Sequence, residues 1–289
     1  MEQIQMAPSL PVTNSWWRVL LAGFLFYFAT LVALGVTGNP VLFPTVGIVG
    51  SFMIPITYVA FFYDRRHLSH LTVPTVAGAF IYGGLFGVIA ASLLEPLFVS
   101  SLDLATAFIV GLIEEFVKIL GVLFIARRMN HDAEMDGLLL GVAAGMGFAA
   151  LESNGYAFTA FLRSQGSLSL TVYVTLLRGI LSPIGHGTWT AILISVLFRE
   201  SRGGHFRFNF KVIGAYLTVS ILHGLWDGLP GAITAVLDSG LDVFVGQALV
   251  GLVGFFILWL RWREAKRLQL QSLAAETAEK TVAGDDAVG

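Results

Sequence analysis

The chain has 289 residues, 56% of them hydrophobic and only 12% charged, with a formal net charge of −2. Soluble domains carry about twice that charge, so an ordinary soluble domain is excluded, and there is no basic excess for a nucleic-acid partner. Cysteine is absent, which excludes disulfides, thiolate metal sites, a thiol nucleophile and S-acylation.

A membrane-crossing helix needs about 20 mostly apolar residues. Eight segments qualify, at about 17–37, 40–63, 74–95, 103–125, 137–162, 170–198, 211–229 and 241–260. The fold class is therefore all-α, a polytopic integral membrane protein. The first 17 residues lack the basic region of a cleavable signal, and Trp16-Trp17-Arg18 reads as an interfacial belt. Residues 1–262 form one transmembrane domain, with its polar core at about 103–229. The Ala-rich, charged stretch 263–289 has no apolar stripe and is expected to be a disordered cytoplasmic tail.

Loop charges test the span count. Eight spans put Arg18, Arg65, Arg66, Arg127, Arg128, Arg199, Arg202, Arg207, Lys211, Arg261, Arg263, Lys266, Arg267 and Lys280 on one side, against Arg163 on the other. The positive excess belongs to the cytoplasm, which places both termini inside.

Four consecutive spans carry ionisable residues at depth. The fourth holds Glu114, Glu115 and Lys118, the fifth Glu152, the sixth Arg178 and His186, and the seventh His223 and Asp227. Each such group costs several kcal/mol near the bilayer centre unless paired, neutralised or hydrated. Glu114, Glu152, His186 and His223 lie about 11 to 15 residues from the cytoplasmic ends of their helices. At ~1.5 Å per residue that is a spread of roughly 6 Å in depth. Helical spacing also gives them faces. Gly111, Glu114, Glu115, Lys118 and Val122 share one side of the fourth span. Gly137, Gly141, Ala144, Gly145, Phe148 and Glu152 form a stripe of mostly small residues on the fifth, a surface for close helix approach. Pro183, with Gly185 and Gly187, is expected to kink the sixth beside His186.

These residue types suit hydrolysis. Two imidazoles and a carboxylate at one depth match a catalytic zinc site, with a fourth position for water. The preferred ligands are Glu152, His186 and His223, and a carboxylate of the Glu114–Glu115 pair is the general base. Lys118 follows Glu114 by one turn and holds a carboxylate ionised. Asp227 orients His223 or pairs with Arg178. A metal-free version uses the same groups, with a glutamate activating water and the histidines stabilising an oxyanion. Taken singly, Glu114–Lys118 reads equally as a structural ion pair, and each histidine as an interhelical hydrogen-bond donor. Taken together, the residues leave a hydrolase, an ion- or proton-coupled transporter and a non-catalytic scaffold open.

The motifs narrow this. EEFVK, Glu114 to Lys118, resembles the E-E-x-x-K motif of the PrsW family of intramembrane proteases. FAALESNGYAF resembles that family's second motif, placing Phe148, Glu152, Asn154 and Tyr156 as site or supporting residues. HGTWTA from His186 and HGLWDG from His223, the latter with Asp227, resemble its two histidine helices. Asp136-Gly137 fits the opening of the fifth span. The likeness covers about 114–227. The family is similar to the CAAX-prenyl and bacteriocin-processing membrane proteases, in which a histidine is usual where Glu152 stands here. The resemblance implies a multi-pass protease of a prokaryotic inner membrane, conventionally a metalloprotease. It would cut membrane-anchored proteins such as anti-sigma factors.

Overall fold

The computed structural model describes residues 14–66, 69, 71–127, 129, 133–202, 204–237 and 242–286; for 234–237, 242–243, 273 and 276–286 only the backbone is described. His67, His70, Arg128 and His131 lie outside the described residues. The chain is helical almost throughout. In order come α1 (Trp16–Thr37), α2 (Phe43–Asp64), α3 (Val73–Phe98), α4 (Leu104–Ala126), α5 (Glu134–Arg163), α6 (Leu168–Leu181), α7 (Thr188–Glu200), α8 (Phe210–Leu237) and α9 (Asp242–Asp286). A 3₁₀ turn, Pro40–Leu42, precedes α2, and a π-turn, Pro183–Gly187, joins α6 to α7 into one bent span. Among the described residues no strand forms, and the single β-bridge pairs Arg202 with His205. Among the described residues, seven segments are long and apolar enough to cross a membrane. The eighth of the expected spans is α4, 23 residues long, which carries Glu114, Glu115 and Lys118. The protein is a multi-pass, all-α membrane protein.

Sequence and structure part mainly at the far end. α8 continues through Pro230 to Leu237, and α9 runs to Asp286, across 263–286 where a disordered tail is expected. The Ala, Leu, Gln, Glu and Lys that fill this stretch are strong intrinsic helix formers, and the chain enters it already helical.

α5 is the axis of the bundle. It is buried along 94% of its apolar window, against 6% for α1, which packs on α2 and the 3₁₀ turn. Around α5 stand α2, α3, α6, α7 and the π-turn, while α4 pairs with α3 and α8. Its small-residue stripe explains the close packing. An added Cβ at Gly141 would lie 2.6 Å from the Thr190 carbonyl, and one at Gly145 would run into the His186 carbonyl. Glycine lets α7 and the π-turn press against α5, which fixes His186 and Thr190 in depth.

The bend has a definable cause. Pro183 has no N–H for the Gly179 carbonyl; the Ser182 hydroxyl donates to it instead, at 3.0 Å. Gly185 leaves helical geometry at φ −90°, ψ −106°. Thr188 Oγ1 donates to the Pro183 carbonyl at 2.8 Å. Hydroxyls thus serve the carbonyls that the kink would strand in an apolar medium.

One end of the bundle is laced by polar bonds. Ser15 and Trp16 N–H groups donate to Asp64 at 2.6 and 2.9 Å, so the end of α2 caps α1. Arg261 meets Glu134 at 3.2 Å and Arg199 meets Glu264 at 3.1 Å. These bonds gather segments that the loop charges assign to the same membrane side.

Candidate active site

Side chains from α4, α5, the π-turn, α7 and α8 meet at the level of α4's middle turns. Lys118, Glu115 and His223 are at most 1% exposed, Glu114 4% and His186 8%. Lys118 Nζ donates to Glu115 Oε1 at 2.8 Å, Glu114 Oε2 at 3.1 Å and His186 Nδ1 at 2.8 Å. An ammonium has three N–H donors and no acceptor, so all three are used here. The ring of Phe148 lies 4.2 Å from the same nitrogen, a cation–π contact that closes its remaining side.

These bonds fix both imidazoles. Because lysine only donates, His186 Nδ1 must accept, which puts its proton on Nε2, and Nε2 faces Glu152 Oε2 at 3.1 Å. His223 Nδ1 lies 3.1 Å from Glu115 Oε1 and donates to it, since an ionised carboxylate only accepts. Thr190 Oγ1 adds a third donor to Glu115, at 3.1 Å from Oε2. Each histidine thus has a carboxylate on one nitrogen. Each turns the other nitrogen toward Glu114 Oε2, at 3.7 Å for His186 Nδ1 and 3.5 Å for His223 Nε2. That is the arrangement by which outer carboxylates orient metal-binding imidazoles. Glu114 Oε1 makes no hydrogen bond among the described residues.

Aromatic rings hold the imidazoles from outside. Trp189 lies 4.6 Å from His223 and 5.6 Å from His186, with Trp226 behind it at 5.7 Å. Phe148 lies 5.4 Å from His186.

The remaining expected residues sit as follows. Glu152 joins the cluster through His186 and is held by Arg178 at 2.7 Å. Asp227 Oδ2 lies 3.3 Å from His223 Nε2. Arg178 pairs with Glu152 and stacks on Tyr156, its guanidinium 3.9 Å from the ring. Asn154 points away, with Oδ1 against Gly47 of α2. Thr190 and Trp189 have contacts that sequence reading gave no role. Thr190 stands one turn after His186 in the sequence, a spacing that could have signalled it.

A divalent metal can be tested against this donor set. Glu114, His186 and His223 each offer a ligand atom, all within 4.8 Å of one another and buried. Glu152 is not in that group. Charge points the same way. Glu114, Glu115, Glu152 and Asp227 bring four carboxylates, while Lys118 and Arg178 bring two positive charges. With neutral imidazoles two negative charges remain inside the bilayer, a costly excess. His223 Nε2 and Asp227 Oδ2 are moreover two acceptors 3.3 Å apart with no proton between them unless one is added, and Glu114 Oε2, held by Lys118, lies 3.5 Å from the same nitrogen. The residues fit a divalent cation in number, charge and donor type. Binding it would require Lys118 to release His186 Nδ1.

Paired carboxylates facing paired imidazoles, deep within membrane-length helices, define a class: polytopic membrane proteins with an acid–base centre suited to hydrolysis in the bilayer. Residues 72–261 match the PrsW family intramembrane metalloproteases, and the chain belongs to that family. It is an intramembrane protease. Protease PrsW of Halalkalibacterium halodurans is 29% identical over 178 residues, covering 59% of this chain and 77% of that protein. No solved structure matches the chain.

Proposed function

We propose that this protein hydrolyses peptide bonds of membrane-anchored proteins, regulators of the anti-sigma-factor kind among them, in a prokaryotic inner membrane with both termini cytoplasmic. The observation that carries the reading is the convergence of Glu114, Glu115, Lys118, His186 and His223 in one buried cluster, with Glu152 on its edge. Such a cluster is expensive in lipid and has no structural need for two adjacent carboxylates.

Glu114 is the catalytic carboxylate. Its Oε2 is held by Lys118, and its Oε1 is left to take the proton of the attacking water and return it to the leaving amine. Glu115 is a positioning residue, bonded to Lys118, Thr190 and His223. Lys118, its three N–H groups taken by Glu114, Glu115 and His186, holds the carboxylates ionised. Two ligand sets share the histidines: Glu152 with His186 and His223, as sequence reading prefers, or Glu114 with both. The distances favour Glu114, because Glu152 already receives the His186 Nε2 proton and the Arg178 guanidinium. A metal held there, zinc by preference, would supply Lewis-acid polarisation of the peptide carbonyl and acidify water.

The test uses purified protein in detergent and a fluorogenic membrane peptide. Cleavage by the parent and its loss in Glu114→Gln support the reading. Proton-coupled flux without cleavage would replace it with a transporter.

A further inference from the structure

The bent span divides its partners unequally. α7 packs on α5, α8 and α9, and the π-turn also touches α8 and α9. α6 packs on α2 and α5, and among the described residues none of its Cα atoms comes within 8 Å of one in α8 or α9. Beyond the π-turn the two sides therefore diverge, and a fork opens with His186 at its base.

A small cavity of about 60 Å³ occupies this fork. It is lined by Arg178, Ser182, Gly185, His186, Trp226 and Gln247. That is room for about two waters, so a larger guest requires α6 to swing away, and no packing against α8 or α9 opposes it. The lining is polar on both walls. Arg178 Nε is buried without a hydrogen-bond partner. Gln247 is the only ionisable or amide residue in α9 between Phe244 and Leu260, and its amide has no partner among the described residues. A lone amide in an apolar span is costly unless something meets it. An amide offers both donor and acceptor, the pair that an extended peptide backbone presents.

We propose that the fork between α6 and α9 is the route by which substrate reaches the centre. Its occupant is an extended, non-helical segment of a membrane-anchored protein, entering from the lipid on the side away from the basic loops. Gln247 binds the segment's backbone from the α9 wall, and Ser182, Gly185 and the π-turn form the floor that sets it beside His186. A helical guest would present no free backbone group to Gln247. This rests on the protease reading, and the experiment separates the two.

The probe is a fluorescent peptide with a polyleucine span of about 20 residues and a Gly/Ser-rich extended flank, reconstituted with the full chain. A photo-crosslinking amino acid is placed at Gln247, at Leu181, or at lipid-facing Leu93 of α3. Crosslinks at Gln247 and Leu181, with several-fold less at Leu93, are the expected result. Equal labelling at all three, or labelling at Leu93 alone, overturns the route. In parallel, Gln247→Leu is expected to raise KM roughly fivefold with kcat unchanged, the worth of one hydrogen bond; an unchanged KM removes Gln247 from binding. Cleavage by the parent without crosslinks in the fork sinks the route and leaves the protease. Crosslinks in the fork with no cleavage sink the protease and leave a peptide-binding groove.

Discussion

Glu114 and Glu115 are neighbours with opposite environments, and their variants should differ in kind. Glu114→Gln is expected to lower kcat 10²- to 10⁴-fold, the usual loss of a general base, with a smaller fall in melting temperature than Glu115→Gln, since among the described residues Glu114 has one hydrogen-bond partner, Lys118, and Glu115 has three. Glu115→Gln removes a charge that faces Lys118, Thr190 and His223 in full burial. Truncating a buried pair costs about 3–5 kcal/mol, so this variant should melt well below the parent; equal melting of the two would refute the division of roles. Arg178→Met should slow cleavage roughly 10- to 100-fold by loosening Glu152 behind His186, the scale seen when an orienting partner is lost. Its melting temperature should fall as well, because Glu152 is left without its countercharge inside the bilayer.

At the scale of the element, α5 carries the heaviest packing demand. A Cβ at Gly147 would collide with the Phe80 carbonyl, and one at Gly84 would lie 2.7 Å from Gly147. Gly147→Val should therefore separate α3 from α5 and abolish a cooperative thermal transition in detergent, whereas Gly155→Val, where nothing lies within 4 Å, should melt like the parent. Much of this element was legible in the sequence, because Gly137, Gly141 and Gly145 fall at four-residue spacing and that spacing marks a helix contact. The path after Pro183 was less so. A proline announces a kink but not whether a π-turn or a break follows, as that depends on hydroxyls such as Ser182 and Thr188 finding the freed carbonyls. Gln247 was overlooked: one amide in an apolar run carries little signal until the partner wall is known.

For the whole molecule, eight spans were readable because lipid imposes both their length and their apolar composition. The approach of Glu114, Glu152, His186 and His223 was readable from depth and helix face together. Which nitrogen meets which carboxylate was not, because that is decided by helix rotation and by Lys118 reaching all three acceptors. Metal content follows from the same assembly. The parent should carry about one divalent ion per chain by elemental analysis, and a His186→Ala, His223→Ala double variant none, with chelation lowering the melting temperature of the parent only. An ion-free parent that still cleaves would leave protons as the neutralising species. Sidedness is open to the same directness in a chain without native cysteine. Ser101→Cys should react with an impermeant maleimide on intact cells, and Arg202→Cys only after permeabilisation; the reverse would invert the topology.

The bend at Pro183–Gly187 also decides where the surrounding lipid can do work. α7 is fastened on four helices, α4, α5, α8 and α9, and carries Thr190, while α6 leans on two and touches neither α8 nor α9. A change in bilayer thickness or lateral pressure is thus taken up by the upper arm, as in a wrist moving over a fixed forearm. On the proposed route, the chemistry would stay rigid while the doorway answered to the membrane.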